Sequence, residues 1–302
     1  MTSSKQGAIF YSSEPVAKIL QRGYENIFTP EWPMNVLFAS FMLALAAAKA
    51  PELKNTTIRT MSVTRTPESN TIVLTIAVPE QGQVVGTPVW VQFRIDGYAL
   101  GAASQFERAS EVVETDMGQT VHVVIDDHPY FSINEPAIDP FDEGGYYYDT
   151  SYKFEIPFQL KEGMHTIRMF PARSFGESLK GDKTFAALSF YVGSAENRSD
   201  IDLFQPYLTY NEPSNHMELV EGKPVLLDFY VSNAELSPDG YKVQLTIDGK
   251  VHRILSSWQP FYIYGLKRGQ HTIALTLLNS ENKQVPGLFN QVKRTIMVNP
   301  HP

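Results

Sequence analysis

The sequence predicts an all-β protein, with two tandem β-sandwiches that follow a helical N-terminal segment. Two observations support this prediction: a strand pattern that occurs twice, and turn residues that separate short apolar runs. The pattern reads GTPVWVQFRI at residues 86–95 and GKPVLLDFYV at residues 222–231. Alternation of this kind is typical of a β-strand with one buried face.

Three further pairs of segments match in the same order along the chain. They are LTI at 74–76 and LTY at 208–210, VHVVIDD at 121–127 and VQLTIDG at 243–249, and LKEGMHTI at 160–167 and LKRGQHTI at 266–273. Matches that keep one order indicate a duplicated domain. We therefore expect an N-terminal segment at 1–50, a first sandwich at 57–195 and a second sandwich at 200–300.

The N-terminal segment contains an apolar run at residues 34–50. It has the length of a signal-peptide core and is short for a membrane span of roughly 20 residues. Ala48 and Ala50 stand at the spacing that a signal peptidase reads. We expect an export helix and hence a periplasmic or secreted protein. A membrane anchor and a helix of the folded protein are the alternatives.

The first copy is longer than the second because it carries two insertions, at residues 96–120 and 126–151. Its first strand is expected at 57–63. Loops on a rigid sandwich are where binding residues usually lie. Any function specific to this copy is therefore expected in the two insertions.

The second copy shows short apolar runs separated by SPDG at 237–240, DG at 248–249 and RG at 268–269. Seven such strands in about 100 residues is the count of an immunoglobulin-like or fibronectin-III-like sandwich. The chain has no cysteine, so no disulfide joins the two sheets. Trp258 is expected to fill that space as a buried aromatic.

Composition excludes several classes of function. The chain has 302 residues and a net charge of -8, with no run of lysine or arginine. Nucleic acid is therefore not an expected partner, because binding its phosphates requires a basic face. The absence of cysteine excludes thiolate chemistry and cysteine-ligated zinc. No cofactor is predicted.

Four short segments carry a family resemblance: DHPY at 127–130, GMHTIR at 163–168, FPARS at 170–174 and WQPF at 258–261. They resemble segments of bacterial extracytoplasmic proteins with tandem immunoglobulin-like domains. The resemblance covers most of residues 70–300 and implies a fold and a location. No activity is assigned to that group, so the resemblance implies no catalytic residues.

Two sets of side chains are candidates for ligand binding. Tyr146, Tyr147 and Tyr148 lie in the second insertion and, with Trp90, Phe131 and Trp258, offer flat apolar faces on which a sugar can stack. Core packing is the alternative for these aromatics. A basic patch made of Arg168, Arg173 and Lys180 can dock an acidic group. Ion pairs with Glu162 or Glu177 explain this patch equally well.

A metal site is an alternative prediction. His122 and His128 supply imidazoles suited to copper or zinc, and Asp139 and Asp142 add carboxylates from the acidic insertion. Calcium also takes oxygen ligands from such loops, although the spacing fits no calcium-loop motif.

Strand parity and position predict two environments for three of the histidines. His122 points away from the core-facing positions of its strand, and we expect it to be exposed. His165 and His271 each lie two residues after a glycine, near the start of a strand. We expect each of them to hydrogen-bond a turn carbonyl at the edge of the core.

The sequence contains neither a nucleophile elbow nor a phosphate-binding glycine loop. We predict a non-catalytic extracytoplasmic module that binds a protein or a glycan, or has a structural role, and that engages its partner through loops of the first sandwich. A periplasmic metal-binding protein is the first alternative. A glycan-active enzyme is the second, and it needs two carboxylates that face one cleft.

Overall fold

The structure is a computed structural model that describes residues 57–112, 117–135, 151–196 and 201–300. The chain is all-β there, which confirms the predicted class. The expected helix at 34–50 lies outside the described residues and stays a prediction. Within those residues, no helix is long and apolar enough to cross a membrane.

The described strands are β1 (Arg59–Ser62), β2 (Val73–Val78), β3 (Val84–Val85), β4 (Trp90–Asp96), β5 (Thr120–Ile125), β6 (Phe131–Ile133), β7 (Ser151–Glu155), β8 (Gly163–Ala172), β9 (Ala186–Val192), β10 (Tyr207–Glu212), β11 (Glu218–Val220), β12 (Val225–Ser232), β13 (Lys242–Ile247), β14 (Lys250–Leu255), β15 (Phe261–Tyr264), β16 (Gly269–Leu278) and β17 (Gln291–Asn299). A short helix, α1 (Arg108–Glu111), lies between β4 and β5.

The first sandwich encloses one apolar core between two sheets. The three-stranded sheet has the order β2-β4-β7, and the five-stranded sheet has the order β3-β9-β8-β5-β6. Val91 and Phe93 of β4 face Val123 of β5 and Ile167 of β8 across this core, and each is almost fully buried. Burial of apolar side chains is the main force that holds the two sheets together.

The second sandwich repeats this arrangement. Its four-stranded sheet has the order β1-β15-β12-β10, and its five-stranded sheet has the order β11-β17-β16-β13-β14. Leu227 and Phe229 occupy the positions of Val91 and Phe93 in the duplicated pattern, and they are buried in the same way. The core-facing half of the repeat is therefore preserved.

Strand β1 belongs to the second sandwich, although its residues precede the first. Residues 57–63 were expected in the first copy, but Thr60 pairs with Ile263 and Ser62 pairs with Phe261. The reason is that β15 would otherwise leave a row of backbone groups unpaired at the sheet edge. The chain then crosses to the first sandwich through Arg65, whose guanidinium donates to the Trp258 carbonyl.

The two sandwiches pack sheet against sheet, and we call this contact the junction. The first sandwich presents the outer face of β5 and β8, with His122, Val124, Arg168 and Phe170. The second presents the outer face of β10 and β12, with Asn211, Asp228 and Tyr230. The rings of Phe170 and Tyr230 have centroids 4.8 Å apart. All of these residues are buried.

The first insertion lies against the second sandwich. Val112, which follows α1, is buried in an apolar cluster with Leu226 and Tyr262. The Tyr262 hydroxyl donates to Glu111 at 2.8 Å. This insertion was expected to carry a binding function, whereas the described part of it helps to form the junction.

Candidate functional site at the junction

A single carboxylate, Asp228, lies at the centre of the junction and is fully buried. Lys180 of the first sandwich donates to Oδ1 at 2.5 Å. Oδ2 accepts bonds from the backbone N–H and the hydroxyl of Ser178 and from Asn211 Nδ2. The charge is therefore paired and its lone pairs are used, which is what a buried ion needs to be tolerated.

Ser178 and Lys180 contain the parts of a serine–lysine dyad. Lys180 Nζ lies 2.8 Å from Ser178 Oγ. However, the ammonium is held by Asp228, and Ser178 Oγ donates to the same carboxylate. Both side chains are buried, so a substrate cannot reach the hydroxyl while the junction is closed. The geometry favours a structural role for this pair.

His122 is buried at the junction, which corrects the expectation that it is exposed. Its strand parity is as expected, but the second sandwich covers the outer face of β5. Its Nδ1–H donates to Asn211 Oδ1 at 2.7 Å, because the amide nitrogen of Asn211 already donates to Asp228 and to Gly176. Burial lowers the pKa of His122 to about 4, so the ring is neutral at physiological pH.

Glu212 is a second buried carboxyl at the junction, and the two groups that hydrogen-bond it are neutral. The Tyr130 hydroxyl of the first sandwich lies 2.5 Å from Oε1, and the Ser214 backbone N–H donates to Oε2 at 2.9 Å. Burial raises the pKa of Glu212 to about 7, although both hydrogen bonds oppose this rise. Glu212 therefore changes its charge near neutral pH.

Arg168 and Arg173 are buried and do not form an accessible basic patch. The guanidinium of Arg168 stacks on Phe289 at 3.8 Å and donates to Thr209 Oγ1 at 2.9 Å. Burial lowers its pKa to about 10, which leaves it charged at neutral pH. Arg173 donates to the Pro67 carbonyl at 2.7 Å.

The ion pairs in the structure differ from those suggested for the basic patch, which were with Glu162 or Glu177. Lys180 pairs with Asp228, and Glu177 pairs with Arg108 of α1. Glu177 also accepts the backbone N–H of Thr66 at 2.8 Å. These contacts join the first insertion and the crossing segment to the buried turn at 173–178.

Trp258 packs at the edge of the second core and is half-buried. Its indole N–H donates to the Phe229 carbonyl at 2.9 Å, and Arg65 lies over the ring at 4.9 Å. These contacts agree with the packing role rather than with a free sugar platform. Tyr146, Tyr147 and Tyr148 lie outside the described residues, so their binding role stays a prediction.

His122 and His128, the two described residues of the alternative metal site, do not come together as metal ligands. His122 stacks on Tyr130 with ring centroids 3.8 Å apart, whereas His128 is exposed and lies against Phe158 at 4.6 Å. Among the described residues, no group of three potential ligands can hold a metal ion. Asp139 and Asp142 lie outside those residues, so their contribution stays untested.

The repeated histidines make the predicted contact in both sandwiches. His165 Nε2 bonds the Lys161 carbonyl at 2.8 Å, and His271 Nε2 bonds the Lys267 carbonyl at 2.7 Å, which confirms the expectation. A further contact was not expected: Asp126 and Asp248 bind the other ring nitrogen, Nδ1, each at 2.7 Å. These aspartates are part of the repeated IDD and IDG blocks, so the pairing was visible in the sequence.

The structure also has a cleft beside the linker that joins the sandwiches. A volume of about 360 Å³ is lined by residues that include Pro206, Tyr207, Leu288 and Phe289. Phe204 lies beside an adjoining cleft and is 86% exposed. The sequence analysis did not single out this region, because one phenylalanine in a short linker gives no pattern.

No protein-family model and no curated protein matches this chain. Among solved structures, it is similar to the fibronectin(III)-like modules of Clostridium thermocellum CbhA, with 12% identity, a TM-score of 0.26, and coverage of 76% of this chain and 95% of that one.

Two other solved structures show a similar likeness. SGBP-B of the Bacteroides ovatus mixed-linkage glucan utilization locus, in complex with a heptasaccharide, has 14% identity over 75% of this chain and 47% of that one, with a TM-score of 0.18. The chicken CNTN1 FN1–FN3 domains have 10% identity over 72% and 66%, with a TM-score of 0.21. Likenesses with TM-scores this low carry no argument about a ligand, and the immunoglobulin-like character of the sandwiches stays a prediction.

Proposed function

We propose that the protein is a non-catalytic extracytoplasmic binding or structural module that holds two sandwiches in one fixed arrangement. The observation that carries this proposal is the set of four hydrogen bonds on Asp228, three of them from the first sandwich. Sliding or rotation of the sandwiches would break these bonds and leave a buried charge without a partner. Breaking a buried ion pair typically costs about 3–5 kcal/mol.

The partner is proposed to be a protein or a glycan that binds the second insertion, residues 126–151. The described part of the first insertion is engaged at the junction through Glu111 and Val112. By contrast, Asp127 and His128 at the start of the second insertion are exposed. The run of tyrosines at 146–148 adds side chains of the kind that binding surfaces favour.

The test is a binding assay of the full chain on a glycan array and with proteins of the cell envelope. The variant Tyr146→Ser/Tyr147→Ser/Tyr148→Ser should lose a ligand that the unmodified chain binds. Phe204→Ser is the matched control, because it removes an exposed aromatic outside the insertion. If Phe204→Ser abolishes binding and the tyrosine variant does not, the second insertion is the wrong surface. Turnover of a bound glycan would contradict the non-catalytic assignment.

A further inference from the structure

We propose that the junction is a proton-controlled joint, which is closed while the Glu212 carboxyl carries a proton and loosens when that proton leaves. This inference rests on the proposed function, because it concerns the same contact between the sandwiches. It depends on where Glu212 lies, on which groups face it, and on what its ionisation requires.

Glu212 is the last residue of β10 and follows an irregularity in the pairing of β10 with β12. One carboxyl oxygen lies 2.5 Å from the Tyr130 hydroxyl of the first sandwich. The other accepts the Ser214 backbone N–H of the second sandwich at 2.9 Å. This carboxyl therefore bridges the two sandwiches, and a change in its protonation affects a hydrogen bond to each of them.

The turn at 173–177 closes the remaining side of the carboxyl. A Cβ atom built on Gly176 would lie 3.0 Å from Glu212 Oε1, so the turn backbone is in close contact with the acid. Gly176 also accepts a hydrogen bond from Asn211 through its carbonyl. The carboxyl is thus enclosed by protein and cannot be hydrated without a movement of the turn or of a sandwich.

The titratable groups that face Glu212 do not neutralise its charge. Tyr130 and Tyr210 are neutral phenols, and Asp228 on β12 is an acid that disfavours a second negative charge. His122 on β5 lies behind the Tyr130 ring and is uncharged at neutral pH. Lys180 is paired with Asp228, and no ion pair to Glu212 exists in the described part of the chain.

Ionisation of Glu212 therefore places an uncompensated charge in the closed junction. In the protonated state, the acid can donate to the Tyr130 oxygen and the bridge remains neutral. In the ionised state, the carboxylate is strongly stabilised by hydration, which the closed junction does not allow. Burial raises its pKa to about 7, which places the change in the physiological range. Separation of the sandwiches at the Tyr130 side is the movement that admits water.

The experiment measures the distance between spin labels, one on each sandwich, in the full chain. The protein has no cysteine, so Val84→Cys and Val251→Cys place the labels uniquely at exposed positions. Pulsed electron paramagnetic resonance at about pH 5.5 and about pH 8.5 brackets the transition. We expect one narrow distance distribution at the lower pH and a broadened or shifted one at the higher pH.

The distance distribution of Glu212→Gln should stay narrow at both pH values. Glu218→Gln is the control because Glu218 is exposed, and its distribution should change with pH like that of the unmodified chain. Tyr130→Phe is a second variant in case Glu212→Gln does not fold. It removes the hydrogen bond that joins Glu212 to the first sandwich, so its distance distribution should already be broader than that of the unmodified chain at the lower pH.

The outcomes separate the two proposals. A narrow distribution at both pH values in the unmodified chain overturns the joint and leaves the fixed module standing. A broad distribution at both values overturns the proposed function itself. An equal pH response in the unmodified chain and Glu212→Gln also overturns the joint.

Discussion

At the scale of single residues, His122 and Glu212 make opposite contributions to stability. The pKa of His122 falls from 6.5 to about 4 on folding, so the unfolded chain binds more protons between these values and stability rises with pH. The pKa of Glu212 rises from 4.5 to about 7, so the folded chain binds more protons and stability falls as pH increases through this window. Between about pH 4.5 and 6.5 the two contributions oppose each other.

Single substitutions should separate the two contributions to the pH dependence of the free energy of unfolding. In Glu212→Gln only the His122 contribution remains, so the free energy of unfolding should rise by up to about 3 kcal/mol as the pH increases from about 4 to 6.5. In His122→Gln, it should fall by a similar amount between about pH 4.5 and 7. Urea unfolding at a series of pH values measures both. Parallel pH profiles in the two variants would show that these groups are not titrating as described.

For these residues, sequence patterns predicted correctly only what lies within one sandwich. Parity correctly assigned His122 to the outer face of β5. It could not show that the face is covered, because the covering residues lie 89 positions away at Asn211. The repeated His165 and His271 were predictable, since their contacts are local to each copy.

At the scale of elements, strand β12 carries a signal for the junction. β12 is apolar from Val225 to Val231 except at Asp228, and all seven of these residues are buried. In the first copy the equivalent outer positions, Trp90 and Gln92, are exposed. Strands that are buried on both faces lack alternation. The continuous run is therefore a sign of a covered second face, and the alternating pattern that we expected in this stretch, with one buried face, was wrong for β12.

The turn at 173–177 gives a prediction at this scale. Gly176 has a φ of 86°, and an added Cβ would lie 3.0 Å from Glu212. Gly249 has a φ of 75° with open space around it. Gly249→Ala should cost about 1–2 kcal/mol for the backbone alone. Gly176→Ala should cost roughly 1–3 kcal/mol more because it also crowds the junction.

Thermal or urea unfolding of both glycine variants makes this comparison directly. The matched backbone conformations mean that the difference reports the contact with Glu212. Equal losses of stability would show that the turn does not press on the carboxyl.

At the scale of the whole molecule, the junction and strand β1 connect the two sandwiches. β1 completes a sheet of the second sandwich, and the chain then returns to build the first. The crossing segment is fixed by Arg65 at Trp258 and by Thr66 at Glu177. The duplicated pattern predicted two sandwiches. It could not predict that β1 pairs with the second sandwich, because a short edge strand fits either copy.

The most direct test of the account is whether the two sandwiches unfold together. A polarity-sensitive dye is attached to Val84→Cys in one sample and to Val251→Cys in another, and urea unfolding is followed in each at about pH 5.5, where Glu212 is protonated. We predict coincident transitions for both labels, and separated transitions after Asp228→Ala, which leaves Lys180 buried without its partner at a cost of about 3–5 kcal/mol. Different midpoints for the two labels in the otherwise unmodified chain would contradict the claim that the junction makes them one unit.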